Sequence, residues 1–143
     1  MIYLDNSATT STDPDIAAIA LDFMTNRYGN PSSLHHFGMD AYQAVMNARY
    51  QAARLIGAPT DSVYFTSGGT ESNNWAVFGT AHAKRRRGRR LVTTAFEHSS
   101  ILEPFRRLGE EGFEPVFVSP DRRGIITPED ILSQVTPDTI LVS

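Results

Sequence analysis

The segment from Val63 to Asn74, VYFTSGGTESNN, constrains the fold most, because it joins a strand signal to a glycine turn and a helix start. β-Branched and aromatic residues from Val63 to Thr66 predict a short buried strand. Ser67 to Thr70 form the turn, whose two glycines allow backbone N–H groups to converge at the positive end of the helix that follows. This pattern predicts an anion site, and phosphate is the favoured anion.

Several groups in this turn are candidate phosphate donors. The candidates are the backbone N–H groups of Gly68 and Gly69 and the hydroxyl groups of Ser67 and Thr70. The turn matches neither nucleotide fingerprint, since it lacks the spaced glycines of GxGxxG and the lysine of GxxxxGK[ST]. It therefore predicts a site for one phosphate group. A glycine-rich turn without a ligand is the alternative that these residues leave open.

The composition of the 143 residues is ordinary for a globular protein, with 41% hydrophobic and 20% charged residues. No window approaches the roughly 20 apolar residues of a membrane span, and the N-terminus carries no secretory signal, so a cytoplasmic protein without membrane contact is expected. The chain contains no cysteine, which excludes disulfides and a cysteine nucleophile within it. Lys84 is the only lysine.

Apolar periodicity and cap signals predict helices that alternate with strands. The helices are predicted at 14–26, 34–56, 73–86, around 101–108 and at 128–134. The strands are predicted at 63–66, 91–95, 114–118 and 139–143. This alternation with short links predicts an α/β fold in three layers, a largely parallel sheet with helices on both faces.

Two charged or ligand-like clusters have simple structural explanations. The basic run from Lys84 to Arg90 suits a helix C-terminus, and the chain carries a net charge of -3, so no nucleic-acid binding is expected. His35 and His36 are adjacent, so on a helix their side chains point about 100° apart and cannot face one metal ion. No metal site is expected.

Four stretches carry a family resemblance when they are taken in order. They are Tyr3–Thr10 (YLDNSATT), Tyr28–Ser33 (YGNPSS), Thr66–Asn73 (TSGGTESN) and Glu97-His98. Together they resemble the cysteine desulfurases of the NifS and IscS type, pyridoxal-phosphate enzymes of the class V aminotransferase group. The resemblance covers only the first part of such an enzyme.

This resemblance implies a domain organisation as well as a fold. Residues 1–14 would be an N-terminal arm that contributes to the small domain and the edge of the active site. Residues 15–143 would be the first part of the large, cofactor-binding domain of a fold type I enzyme, similar to aspartate aminotransferase. The chain would then be incomplete at its C-terminus.

The resemblance also implies pyridoxal 5'-phosphate as cofactor and L-cysteine as substrate, with L-alanine and an enzyme persulfide as products. Gly69 and Thr70 would hold the cofactor phosphate, in agreement with the anion site predicted from the turn, which adds Ser67 and Gly68 as cofactor-binding residues. His98 would lie over the pyridine ring and move protons, as an imidazole can. Three residues of the N-terminal loop would approach the substrate: Asn6, Ala8 and Thr9. The expected partners are a second copy of the enzyme and a sulfur acceptor or scaffold protein, in iron–sulfur cluster or thio-cofactor assembly.

Three further groups that the family requires have no counterpart in the chain. They are a lysine that forms a Schiff base with the cofactor, an aspartate that pairs with the pyridine nitrogen and a cysteine that accepts sulfur. We expect all three beyond Ser143, and the 143 residues alone to be inactive. Two alternatives remain open, namely another class V aminotransferase or lyase, and a non-catalytic fragment or subunit.

Overall fold

The computed structural model describes residues 2–143. The helices in this range are α1 (Pro14–Thr25), α2 (His36–Ile56), α3 (Gly69–Lys84), α4 (Ser99–Glu110) and α5 (Pro128–Leu132). The strands are β1 (Arg90–Thr94), β2 (Glu114–Val118) and β3 (Thr139–Val142). These elements form two compact units, which divide between Phe65 and Thr66. None of these helices is both long enough and apolar enough to cross a membrane.

The first unit contains α1 and α2, whose ends follow local sequence signals. The Asp13 side chain accepts a hydrogen bond from the N–H of Asp15 at 2.9 Å and so caps α1, and Pro14 occupies its first position. Helix α2 begins at His36 because His35 is extended, with φ -84° and ψ 166°. It ends at Gly57, whose φ of 65° lies in the left-handed region that favours glycine.

The prediction of a strand at Val63–Thr66 is wrong. Val63 has extended backbone angles, φ -101° and ψ 125°, but the segment belongs to none of the three strands within residues 2–143. Tyr64 and Phe65 are also mostly exposed. β-Branched and aromatic residues favour an extended backbone, whereas a strand also requires a neighbouring strand to pair with, which local composition does not supply.

The second unit is built on a parallel sheet with the strand order β2-β1-β3. In the central strand, Val92 pairs with Val116 of β2 and Val142 of β3. Leu91, Val92 and Thr93 are completely buried. Parallel neighbours require crossover connections, and α4 supplies the crossover from β1 to β2. The predicted α/β class with a parallel sheet and flanking helices is confirmed.

The core of this unit lies between the sheet and the helices α3 and α4. Its buried members are Val77, Ala81, Leu91, Ile101, Phe105 and Leu108. The ring of Phe105 lies 6.2 Å from that of Phe117 in β2, measured between centroids. Because both helices are packed on the same core, their first turns are held in fixed relation to each other, and the candidate site is built from these turns.

Candidate functional site

The glycine turn leads directly into an uncapped helix start. Gly68 is the N-cap residue of α3 and has no side chain to bond to the first turn. The first N–H groups of a helix have no carbonyl partner within that helix, so they are available to a ligand. A Cβ atom built on Gly68 or Gly69 would meet no other atom within 4 Å. The turn thus combines available donors with open space, which fits a phosphate group.

The glycines achieve this through their small size and not through unusual backbone angles. Gly68 is extended, with φ 165° and ψ -179°, a conformation open to any residue. The left-handed glycines of the described residues are Gly57, Gly112 and Gly124. The turn therefore requires no backbone angle that only glycine adopts. What glycine provides here is the absence of a side chain in front of the helix N-terminus.

Ser67 is held by Glu71 in the first turn of α3. Its backbone N–H and its hydroxyl both donate to Oε2 of Glu71, each at 2.7 Å. These two hydrogen bonds lower the pKa of Glu71, the side-chain bond more strongly than the backbone bond. A phosphate would have to compete with this carboxylate for Ser67. The hydroxyl of Thr70 forms no hydrogen bond within residues 2–143, so it is the more accessible donor.

We expect the turn to loosen in acid as Glu71 becomes protonated. A carboxyl whose pKa is lowered by folding contributes stability above its ordinary pKa, and that contribution is lost as the pH falls through the lower, folded-state value. Carbon-detected NMR titration of the Glu71 carboxyl measures this pKa. The variant Ser67→Ala removes the largest cause and should move the pKa back up toward the ordinary value, whereas Ser32→Ala should not. An unchanged pKa in Ser67→Ala would contradict the assignment.

His98 lies at the start of α4, just after β1. It is the N-cap residue of that helix, and its Nδ1 accepts a hydrogen bond from the N–H of Ser100 at 3.1 Å. The hydroxyl of Ser100 lies 2.8 Å from the same nitrogen. At the end of β1, the Thr94 hydroxyl donates to Oε1 of Glu97 in the following loop at 2.8 Å. The histidine is thus positioned by the end of the central strand and the first turn of α4.

A hydrogen bond brings the glycine turn and the histidine together. Nδ2 of Asn73, one turn into α3, donates to Oγ of Ser100 at 2.8 Å. The sequence patterns indicate a role for neither residue. The contact of Ser100 with His98 can be predicted from the sequence, because a hydroxyl two residues after a helix-capping side chain lies within reach of it. The contact of Asn73 with Ser100 cannot be predicted in this way, because the two residues are 27 positions apart in the chain.

The remaining predicted site residues belong to the first unit. Asn6 and Thr9 line an open pocket of about 570 Å³ together with Tyr3, Thr10 and Ser11. Ala8 lies in the turn between them, and its N–H donates to the carbonyl oxygen of Asp5 at 3.1 Å. The structure groups these three residues in one loop, and their role toward a substrate stays a prediction.

Lys84 lies at the far end of α3 from the glycine turn. It is the last of the 16 residues of this helix, which begins at Gly69. A rise of 1.5 Å per residue places the two ends roughly 22 Å apart, several times the reach of a lysine side chain. The amine of Lys84 therefore cannot contact a group that is bound at the turn.

Comparison with known proteins places these features in a family. The family model described as aminotransferase class-V matches residues 2–143. The chain is 42% identical over 142 residues to the cysteine desulfurase IscS of Dictyoglomus turgidum, and this match covers 99% of the chain and 36% of the relative. The chain thus spans little more than a third of the length of this curated relative.

Solved structures agree with the sequence comparison. A structure described as a NifS-like protein has a TM-score of 0.90 at 35% identity and covers 99% of this chain and 39% of its own. A structure of SspA in complex with cysteine has a TM-score of 0.87 at 28% identity, with coverages of 98% and 40%. The predicted similarity to NifS- and IscS-type proteins is confirmed. These matches show that the chain belongs to the aminotransferase class-V family.

Proposed function

We propose that this chain functions as part of a pyridoxal-phosphate-dependent cysteine desulfurase, in which it binds the cofactor phosphate. The observation that carries this proposal is the uncapped start of α3, where Gly68 and Gly69 leave open space in front of available N–H groups. The similarity to a curated cysteine desulfurase supports the same assignment. Pyridoxal phosphate, when bound, supplies an electron sink for bond breaking at an amino acid.

The phosphate would be held by neutral donors and by the helix dipole. Gly69 and Thr70 are the first two residues of α3, so their N–H groups have no carbonyl partner within the helix, and the Thr70 hydroxyl adds a third donor. Each hydrogen bond to a charged group contributes on the order of 1.5 to 3 kcal/mol. Ser67 and Gly68 complete the turn. Ser67 would donate a hydrogen bond to the phosphate only after its hydrogen bonds to Glu71 are broken.

His98 is the proposed proton-transferring and ring-stacking residue. It is exposed at the start of α4, and the Asn73–Ser100 hydrogen bond joins this start to that of α3. An imidazole at such a position can stack on an aromatic ring and exchange protons with a substrate. The proposed substrate is L-cysteine, in line with the solved structure of SspA in complex with cysteine. Asn6, Ala8 and Thr9 are the proposed substrate-side residues.

The 143 residues do not contain the groups that complete the reaction. They include no cysteine to accept sulfur, and their one lysine, Lys84, lies at the C-terminal end of α3, away from the glycine turn. We therefore propose that the chain alone neither attaches the cofactor covalently nor releases sulfide. The domain division at residues 14 and 15, the cytoplasmic location, the homodimer and the sulfur-acceptor partner belong to the same proposal.

A chimera tests this function. Residues 2–143 replace the matching segment of the Dictyoglomus turgidum relative, and sulfide release is measured with L-cysteine and pyridoxal phosphate. We expect cysteine-dependent sulfide release from the chimera. Gly69→Asp should weaken cofactor affinity about tenfold or more, because a carboxylate enters the phosphate space and replaces charge-assisted hydrogen bonds with repulsion.

The variants are chosen to separate binding from folding. An aspartate suits the first turn of a helix, so Gly69→Asp should leave α3 intact. Gly79→Ala, in the middle of the same helix and with no atom within 4 Å of the added Cβ, is the matched control. A folded chimera without sulfide release would overturn the proposal. So would stoichiometric attachment of the cofactor at Lys84 with cysteine turnover by the 143-residue chain, detected by borohydride reduction and peptide mapping.

A further inference from the structure

We infer that Asn73 and Ser100 are positioning residues that hold His98 in one tautomer, with the proton on Nε2. The inference concerns the use of His98 at the proposed cofactor site and in that respect rests on the proposed function. It is carried by three linked hydrogen bonds, two of which end at Nδ1 of His98. They connect Asn73 Nδ2 to Ser100 Oγ, Ser100 Oγ to His98 Nδ1, and Ser100 N to His98 Nδ1.

The backbone contact determines the role of Nδ1. The N–H of Ser100 lies 3.1 Å from Nδ1, and a backbone N–H is only ever a donor. Nδ1 must therefore accept, which requires that it carries no proton. A neutral imidazole has one protonated and one unprotonated nitrogen, so the proton lies on Nε2.

The hydroxyl of Ser100 gives a second, directed contact. A serine hydroxyl has a single proton to donate and can accept from another group. Asn73 Nδ2 donates to Ser100 Oγ at 2.8 Å, which leaves the hydroxyl proton free to point at Nδ1, also 2.8 Å away. Ser100 is only 6% exposed, so water does not readily replace either partner. Both donors therefore favour the same tautomer.

As a consequence, only one ring nitrogen of His98 remains for a ligand or substrate. Nδ1 faces its own helix, so Nε2–H is the nitrogen that remains for a ligand or substrate. In this state His98 donates a hydrogen bond from Nε2 and accepts none there. Proton uptake by His98 therefore requires that Nδ1 first release both donors, since Nδ1 is the one unprotonated nitrogen of the ring. A group bound at the site therefore meets a hydrogen-bond donor on a ring whose direction is set by the starts of α3 and α4.

The test is the tautomer itself, read from ¹⁵N chemical shifts of the histidine ring in the 143-residue protein at about pH 8, where an ordinary histidine is neutral. We expect the pattern of an unprotonated Nδ1 and a protonated Nε2 for His98. Ser100→Ala removes the hydroxyl donor and retains the backbone donor. It should lower the ratio of the Nε2–H to the Nδ1–H tautomer by about threefold to tenfold, the effect of one neutral hydrogen bond.

Three further variants distinguish positioning from a general structural effect. Ser100→Thr keeps the hydroxyl and should retain the wild-type ratio, and Ser99→Ala serves as the neighbouring control. Asn73→Asp gives the Ser100 hydroxyl an acceptor that competes with Nδ1, so it should shift the ratio in the same direction as Ser100→Ala. Amide spectra show whether each variant is folded.

Two results would overturn the inference. One is a protonated Nδ1 in the wild-type protein, and the other is an unchanged tautomer ratio in folded Ser100→Ala. Neither measurement needs a cofactor or a substrate. A negative result here therefore leaves the sulfide assay of the chimera unaffected, and a chimera that releases no sulfide leaves the tautomer measurement standing.

Discussion

Phe105→Ala should lower the free energy of unfolding by about 3 to 5 kcal/mol, as expected for a large aromatic side chain removed from a core. Phe105 is completely buried on α4 and packs in the cluster that joins α3, α4 and the sheet. Truncation leaves a cavity because the surrounding helices and strands relax only in part. Since single domains are stabilised by about 5 to 15 kcal/mol in total, this loss is large.

Urea unfolding followed by circular dichroism measures the effect. The matched control is Phe96→Ala, since Phe96 is 61% exposed and its truncation should change stability by less than about 0.5 kcal/mol. If the two variants lose similar amounts of stability, the core does not lie where α3 and α4 meet the sheet.

Gly88→Ala should also destabilise the protein, because a Cβ at this position collides with backbone. The added atom would lie 2.1 Å from the carbonyl oxygen of Asp138 and 2.8 Å from its carbonyl carbon. That oxygen also accepts a hydrogen bond from the N–H of Arg90 at 3.1 Å, at the start of β1. Relief of the clash must move the segment that leads into β3, at a cost of about 1 to 3 kcal/mol.

The control substitution should change stability in the opposite direction. Gly79→Ala adds the same methyl group in open space within α3, where alanine is more favourable than glycine by about 0.5 to 1 kcal/mol. Unfolding in urea compares the two variants, and hydrogen exchange at the Arg90 amide reports the local change. Equal stability of Gly88→Ala and Gly79→Ala would show that the Gly88–Asp138 contact is not formed in solution.

The sequence by itself determined the elements whose signals are local. Asp13 and Pro14 mark the start of α1, Gly57 marks the end of α2, and the Thr127–Asp130 capping box marks the start of α5, all as observed. Strand β2 has the predicted bounds, 114–118. Such signals act over one helical turn or one strand, so nearby residues suffice to predict them. The glycine turn and its position before α3 belong to the same class.

Only the tertiary structure decided which of these segments contact each other. The residues at Val63–Thr66 favour an extended backbone, but strand formation depends on pairing, and within residues 2–143 the sheet is made by β1, β2 and β3. The hydrogen bond from Ser67 to Glu71 and the hydrogen bond from Asn73 to Ser100 likewise depend on side-chain placement in the folded protein. Segments far apart in the chain come together only through packing on a shared core, so the hydrogen bond from Asn73 to Ser100 cannot be predicted from the neighbours of His98 in sequence, whereas the contacts of Ser100 with His98 are local.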